Sequence, residues 1–213
     1  GHSEGGRGVL ALQSHVGEAA ELDFRGTIAL APFTSLAEAV RRLDTLKSSD
    51  PANATLYAGI QNFFVAMLAR GLKTVDPTAD LGPLMGGDLA ALMPTIAERC
   101  VFSSFGVIAS AVAARPDFGG FKPGWSDSAA MKAFLQSNDP AAVPGFKIAG
   151  PTLIVQGTSD IFVQEPLTTA FVDVQAGRGA PVAYRVYTGS DHGSIVIDAK
   201  DQVLSYLAAR FSN

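Results

Sequence analysis

Three short apolar runs, each bounded by glycine, proline or a turn, are spaced along the chain, and longer stretches with apolar residues at threes and fours separate them. The first is Gly26-Thr-Ile-Ala-Leu-Ala-Pro32, the second Pro151-Thr-Leu-Ile-Val-Gln-Gly157, and the third Val182 to Tyr187. The first two are apolar nearly throughout rather than alternating. That is the pattern of strands covered on both faces, as in a parallel sheet. Glu4 to Ala20 reads as a helix, with Leu10, Leu12, Val16 and Ala19 or Ala20 on one stripe. Pro166 to Ala176 reads as a second, closed by Gly177 and Gly179. Ser194 to Phe211 reads as a last helix, carrying Ile195, Val196, Val203, Leu204, Leu207 and Phe211. Helix and strand in alternation predict the α/β class.

From Phe33 to Ala149 the rhythm stops. No strong strand pattern occurs there. Leu36–Leu46, Ala54–Leu72, Asp88–Phe102, Val107–Ala114 and Ser128–Gln136 have helical spacing. Pro94 is expected to kink or split the third of these. So long a segment cannot be a plain loop inside a compact domain. The expected organisation is therefore a core of residues 1–32 and 150–213, with residues 33–149 forming a helical cap inserted between two strands. The cap is rich in aromatics: Phe63, Phe64, Phe102, Phe105, Phe118, Phe121 and Trp125. Packing within the cap is the first reading of any one of them. Lining of an apolar pocket for an acyl chain is the second.

Composition narrows the partners. The 213 residues are 47% hydrophobic and 17% charged, which suits one sizeable core, or a core with a subdomain. A net charge of −4 offers no basic footprint, so nucleic acid is not an expected partner. The longest apolar stretch, Val101 to Ala114, is interrupted by Ser103, Ser104, Gly106 and Ser110, so no transmembrane segment is expected. The single cysteine, Cys100, excludes an internal disulfide and a multi-cysteine zinc site. It reads as a buried thiol, or as half of a disulfide whose partner lies outside this sequence. With three histidines and no H-E-x-x-H, neither metal nor cofactor is expected.

The candidate chemistry begins at Gly1-His2-Ser3-Glu4-Gly5, followed by Gly6. G-x-S-x-G is the pattern of a nucleophile elbow, in which a sharp strand-to-helix turn lifts a serine hydroxyl above a sheet. Ser3 needs a base, because a serine hydroxyl is a weak nucleophile alone. His2 adjoins Ser3, and neighbours in a sharp turn point apart, so it reads as filler beneath the elbow. His15 falls roughly 18 Å along the helix at about 1.5 Å per residue, and reads as a surface residue. His192 lies on a glycine-flanked loop after the third strand, where active-site side chains of open α/β sheets gather. The imidazole needs an orienting acid. Asp160 follows the second strand at the same sheet edge; its other reading is a helix N-cap. Asp191 is too close in sequence to reach the same ring, and Asp198 and Asp201 read as solvated helix residues. Ser3, Asp160 and His192 are the expected catalytic set. The Glu4 backbone N–H is the expected oxyanion donor, with the Glu4 side chain turned toward Arg7. The second donor usually comes from a loop after an early strand, which this sequence does not contain. Phe33, Ile161 and Phe162 are the candidates for the substrate pocket.

Ser, Asp, His is the chain order of α/β hydrolases. The elbow, the Gly157-Thr-Ser-Asp160 turn and the Ser190-Asp-His192-Gly193 turn resemble that superfamily. The insertion after Ala31-Pro32-Phe33, the stretch Leu81 to Cys100 and the short spacing from Asp160 to His192 most resemble the secretory lipase family of the lipase A type, from the elbow onward. Glu4 in the elbow is also similar to some bacterial feruloyl and acyl esterases. The resemblance implies an α/β-hydrolase fold and secreted hydrolysis of small-molecule or lipid esters through an acyl-enzyme, without a cofactor. Amide or peptide cleavage by the same triad, or a silent binding fragment, are the alternatives. Such enzymes carry several strands before the elbow, so an N-terminal chain or segment completing the fold is an expected partner.

Overall fold

A computed structural model describes residues 1–212. It contains one three-stranded sheet, β1 (Thr27–Leu30), β2 (Thr152–Gly157) and β3 (Val182–Tyr187), in that spatial order and parallel throughout. β1 pairs with β2 from Thr27 opposite Thr152 to Leu30 opposite Val155. β2 pairs with β3 from Thr152 opposite Val182 to Gly157 opposite Tyr187. On the other side of β1, Leu30 N–H donates to Gly1 O (2.9 Å) and Ser3 N–H to Leu30 O (2.9 Å), with His2 bridging Leu30 in parallel. The elbow is thus approached along the sheet.

Every residue of β2 is buried, as its unbroken apolar run requires. Alternate residues serve opposite faces. Ile154 and Ala29 pack with Leu10, Phe146, Ile148, Phe171 and Val172 on one. Leu153, Val155 and Ala31 pack with Ile195 and Ala199 on the other. The first face is covered from α1 (Glu4–Ala11) and α7 (Glu165–Gly177), the second from α8 (Ile195–Asp198) and the start of α9 (Lys200–Phe211).

The chain divides into two compact units. The first is Gly1–Ala39 together with the chain from Ser137 onward, and the second is Val40–Gln136. The divisions fall inside α2 (Leu36–Ser49) and α6 (Ala129–Asn138). The second unit is helical and built on α3 (Ala54–Val75), with α4 (Gly87–Ala97) and α5 (Val101–Ala114). α3 buries Ile60, Phe63, Phe64, Val65 and Leu68, and Phe105 of α5 meets the Phe63 ring edge-on at 5.6 Å. Trp125 is buried as well. Phe102, in contrast, is 83% exposed and takes no part in that packing.

Several elements depart from the sequence pattern. The first helix ends at Ala11 and gives way to two 3-10 turns, Leu12–Ser14 and Val16–Ala19. Of the expected stripe only Leu10 is buried, and Leu12 is exposed. The cause is Gln13, buried under the sheet. Its amide donates to the hydroxyls of Thr27 (2.5 Å) and Thr152 (3.2 Å), and its Oε1 accepts from Gly150 N–H (2.9 Å). Those bonds turn the chain toward β1 and β2. Pro94 neither splits nor ends α4, which runs through it to Ala97. The break comes at Glu98–Cys100. There the Arg70 guanidinium bonds the carbonyls of Ile96 and Ala97, and Ser104 Oγ also donates to Ile96 O. α5 therefore starts at Val101, not Val107. The last helix is interrupted at Ala199. Of its apolar residues Ile195 is buried and Val203 half-buried, while Val196, Leu204, Leu207 and Phe211 are exposed. Cys100 is exposed rather than buried. Among the described residues no helix is long and apolar enough to cross a membrane.

Candidate active site

Ser3 stands between the parallel pairing of Gly1–Ser3 with β1 and the first turn of α1, at φ 58° and ψ −121°. A non-glycine residue rarely adopts positive φ, and such strain persists only where the surroundings impose it. Here they do. Ser3 N–H is tied to Leu30 O, and Ser3 O accepts the first α1 ladder bond, from Arg7 N–H (3.1 Å). A side chain at Gly1 would strike the Gly5 carbonyl, 2.1 Å from its Cβ position, so the flanking glycine follows from the turn's tightness. Glu4 begins α1, where helix geometry leaves the backbone N–H free of the ladder. Its carboxylate turns aside to Arg7, whose Nε donates to Glu4 Oε1 at 2.8 Å.

Asp160 and His192 occupy the loops leaving the C-terminal ends of β2 and β3, and these loops are bonded to each other. Thr158 N–H donates to Tyr187 O (3.0 Å), Ser159 N–H to Ser190 O (3.0 Å), and Gly189 N–H to Thr158 Oγ1 (2.9 Å). Within its own loop Asp191 Oδ1 accepts from Gly193 N–H (2.9 Å) and Ser194 N–H (2.7 Å). Those backbone donors, Ser194 first, hold the Asp191 pKa below the usual carboxylate value. Ser190 Oγ donates to Asp198 Oδ2 (2.6 Å), so Asp198 ties down the loop instead of being merely solvated.

The structure brings Ser3, His192 and Asp160 into one chain of hydrogen bonds. His192 Nε2 lies 2.9 Å from Ser3 Oγ, and His192 Nδ1 lies 2.7 Å from Asp160 Oδ2. The Asp160 side chain is fully buried, and that of His192 is 21% exposed. A carboxylate can only accept, so His192 carries its proton on Nδ1 in the neutral ring, leaving Nε2 to accept from the serine hydroxyl. Asp160 Oδ1 is separately occupied by the N–H groups of Phe162 (2.9 Å) and Val163 (2.8 Å). Asp160 does not cap the next helix, whose N-cap position is held by Gln164.

His2 is not filler. Its Nε2 is 2.8 Å from His192 O and must be the donor to that carbonyl, and the two rings lie 4.7 Å apart. Burial, then the neighbouring His192 ring, hold the His2 pKa below its ordinary value. His15 is exposed and paired with Glu18 at 2.7 Å. Of the three pocket candidates, Phe162 lies against His192, with ring centroids 5.4 Å apart. Ile161 is half-buried in the same loop, and Phe33 is buried just beyond the end of β1. An apolar groove of about 330 Å³ lies instead beside the N-terminal end of β1, between the Leu12–Ala19 turns and α9, and includes none of Ser3, Asp160 and His192. Among the described residues no group of three or more His, Cys, Asp and Glu is arranged to hold a metal.

One participant escaped the sequence reading. Gln156, fully buried in β2, donates from Nε2 to Asp160 Oδ2 (3.2 Å) and Val163 O (2.8 Å), and accepts from Thr168 Oγ1 (3.0 Å). A signal was present: an amide inside an apolar strand must find partners.

No protein-family model matches the chain, and no curated protein matches its sequence. Solved structures do. A protein of Legionella pneumophila aligns over 100% of this chain and 56% of its own, at 15% identity and TM-score 0.66. The rice cell wall degrading esterase LipA from Xanthomonas oryzae aligns over 98% of this chain and 56% of its own, at 15% identity and TM-score 0.62. Candida antarctica lipase A in its closed state aligns over 95% and 45%, at 14% identity and TM-score 0.59. The chain spans little more than half the length of the first two. With a parallel sheet flanked by helices and these structural likenesses, the chain has the α/β-hydrolase fold.

Proposed function

We propose that this chain carries the catalytic residues of a serine carboxylester hydrolase. The observation that carries the reading is the continuous bond chain from Ser3 Oγ through both nitrogens of His192 to buried Asp160. Ser3 Oγ attacks the ester carbonyl carbon while its proton passes to His192 Nε2. The tetrahedral oxyanion forms beside the N-terminus of α1, where the Glu4 N–H is the nearest candidate donor and the helix dipole favours negative charge. Collapse breaks the bond to the alcohol, which leaves with the proton from Nε2. Water then attacks the Ser3 ester with His192 as base, releasing the acid and restoring Ser3. Asp160 holds the Nδ1–H tautomer and stabilises the imidazolium that forms in both halves. No cofactor enters the sequence.

The finer readings follow the same line. Similarity to an esterase and a lipase of known structure favours ester over amide substrates. Phe162, Ile161 and Phe33 are the proposed acyl-side contacts, residues 33–149 the proposed cap, and secretion the proposed location. Membership of the lipase A type is part of this proposal. The test is hydrolysis of short-chain p-nitrophenyl esters with labelling by a fluorophosphonate. The wild-type chain is expected to carry a single label, on Ser3, and Ser3→Ala to lose at least about a thousandfold in kcat. Full turnover in Ser3→Ala refutes the assignment.

A further inference from the structure

Gln156 sits behind the acid. Its side chain is fully buried, and so is that of Thr168 on α7. Three acceptors surround its Nε2: Val163 O at 2.8 Å, Asp160 Oδ2 at 3.2 Å and Gly157 O at 3.4 Å. Its Oε1 faces the Thr168 hydroxyl at 3.0 Å. The direction of the amide is therefore fixed by chemistry. Rotated by 180°, Oε1 would face a carboxylate and two carbonyls with no proton between them, and Thr168 would lose its acceptor. The acceptor shared with His192 is the informative one. Oδ2 takes bonds from both His192 Nδ1 and Gln156 Nε2, whereas Oδ1 is held by backbone alone.

We propose that Gln156 is a positioning residue of the site: from inside the sheet its amide holds Asp160 Oδ2 at His192 Nδ1, and Thr168 fixes the way that amide faces. The inference rests on the triad reading above. Two effects follow. The carboxylate cannot swing about its backbone-held oxygen, so the Nδ1 bond keeps its alignment. Part of the negative charge on Oδ2 is also drawn toward the amide instead of the imidazole. The charged or titratable groups facing His192 are Asp160, His2 and Asp191, and Gln156 acts on the first alone.

The variants are Gln156→Met, which keeps length and removes the donors, and Thr168→Val, which keeps the amide and releases its far end. Each is measured for ester hydrolysis against pH. Each is also measured by proton NMR of the His192 Nδ1–H signal in a Ser3→Ala background, which needs no turnover. For Gln156→Met we expect kcat to fall about tenfold with KM unchanged. The alignment of Asp160 and the charge it presents to His192 then both change, so the low-pH limb of kcat/KM and the Nδ1–H resonance shift. Thr168→Val should move all three readouts the same way by less, and it decides the question if Gln156→Met does not fold. A folded Gln156→Met with kcat within about twofold of wild type and an unmoved resonance overturns the proposal. Turnover surviving Ser3→Ala would instead overturn the triad reading, and the resonance shift would still report on Gln156.

Discussion

Replacing Gly157 by alanine tests whether the loop geometry controls the candidate site. Gly157 is the last residue of β2, and a Cβ there would lie 2.2 Å from Ser190 O, 2.8 Å from Ser190 C and 3.0 Å from Ser190 Cβ. Two of these are backbone atoms, so no rotamer change relieves the contact. A tolerable carbon–oxygen approach is about 3.2 Å, so the Ser190 segment must retreat by roughly 1 Å, at an overpacking cost of about 1–3 kcal/mol. Ser190 precedes His192 by two residues, and its carbonyl accepts the bond from Ser159 that ties the two loops together. A 1 Å misplacement of a catalytic group costs on the order of 10²-fold in rate. Gly157→Ala is therefore expected to lose about 100-fold in kcat/KM on p-nitrophenyl esters while remaining folded by urea titration. Gly177→Ala is the control, because its Cβ position has no atom within 4 Å; it should leave the rate unchanged. Gly157→Ala turning over within about twofold of wild type would refute the reasoning.

Two stability predictions are independent of catalysis. Burial pushes the Asp139 carboxyl up to about 6, against bonds from Ala37 and Ala141 N–H and the nearby Arg7 charge. Between about pH 4 and 6 the folded state thus holds a proton that the unfolded chain has released, and stability falls as pH rises through that window by about 3 kcal/mol. Asp139→Asn should abolish this slope in urea midpoints, and an equal slope in the variant would show that the charge sits elsewhere. Gln13→Leu should cost about 1–3 kcal/mol in urea unfolding by removing the partner of the buried Thr27 hydroxyl and of the half-buried Gly150 N–H, and no loss would mean that water replaces the amide.

How much was legible in the sequence depends on how local the cause was. β1, β2 and β3 are visible as apolar runs because burial on both faces demands them. The positions of Ser3, Asp160 and His192 follow from the same rule, each at the end of a strand or strand-like segment, where parallel strands gather their loops. The early end of α1 was not legible. It is caused by Gln13 reaching Thr27, Thr152 and Gly150, of which the last two lie far along the chain. Pro94, a local signal, predicts a kink or split within Asp88–Phe102, yet the break falls after Ala97, where the side chains of Arg70 and Ser104 bond the carbonyls of Ile96 and Ala97. Cys100 is exposed because it falls at that break, as the N-cap of α5.

His2 and Gln156 were misjudged or missed for a related reason. Each looks ordinary by position, one the variable residue of the elbow and the other a polar break in a strand. Each acts on a group that a different loop supplies: His2 on the carbonyl of His192, Gln156 on the carboxylate that faces the same ring. The imidazole is therefore held from two sides, through its own backbone and through its acid. In the proposed mechanism Ser3, at positive φ, serves only if His192 stays within hydrogen-bond contact, since a proton transfer requires it. On that proposal the buried Gln156 amide and the half-buried His2 ring meet the requirement together, and replacing Gln156, which makes no bond to Ser3, should loosen His192 and leave the Ser3 turn unchanged.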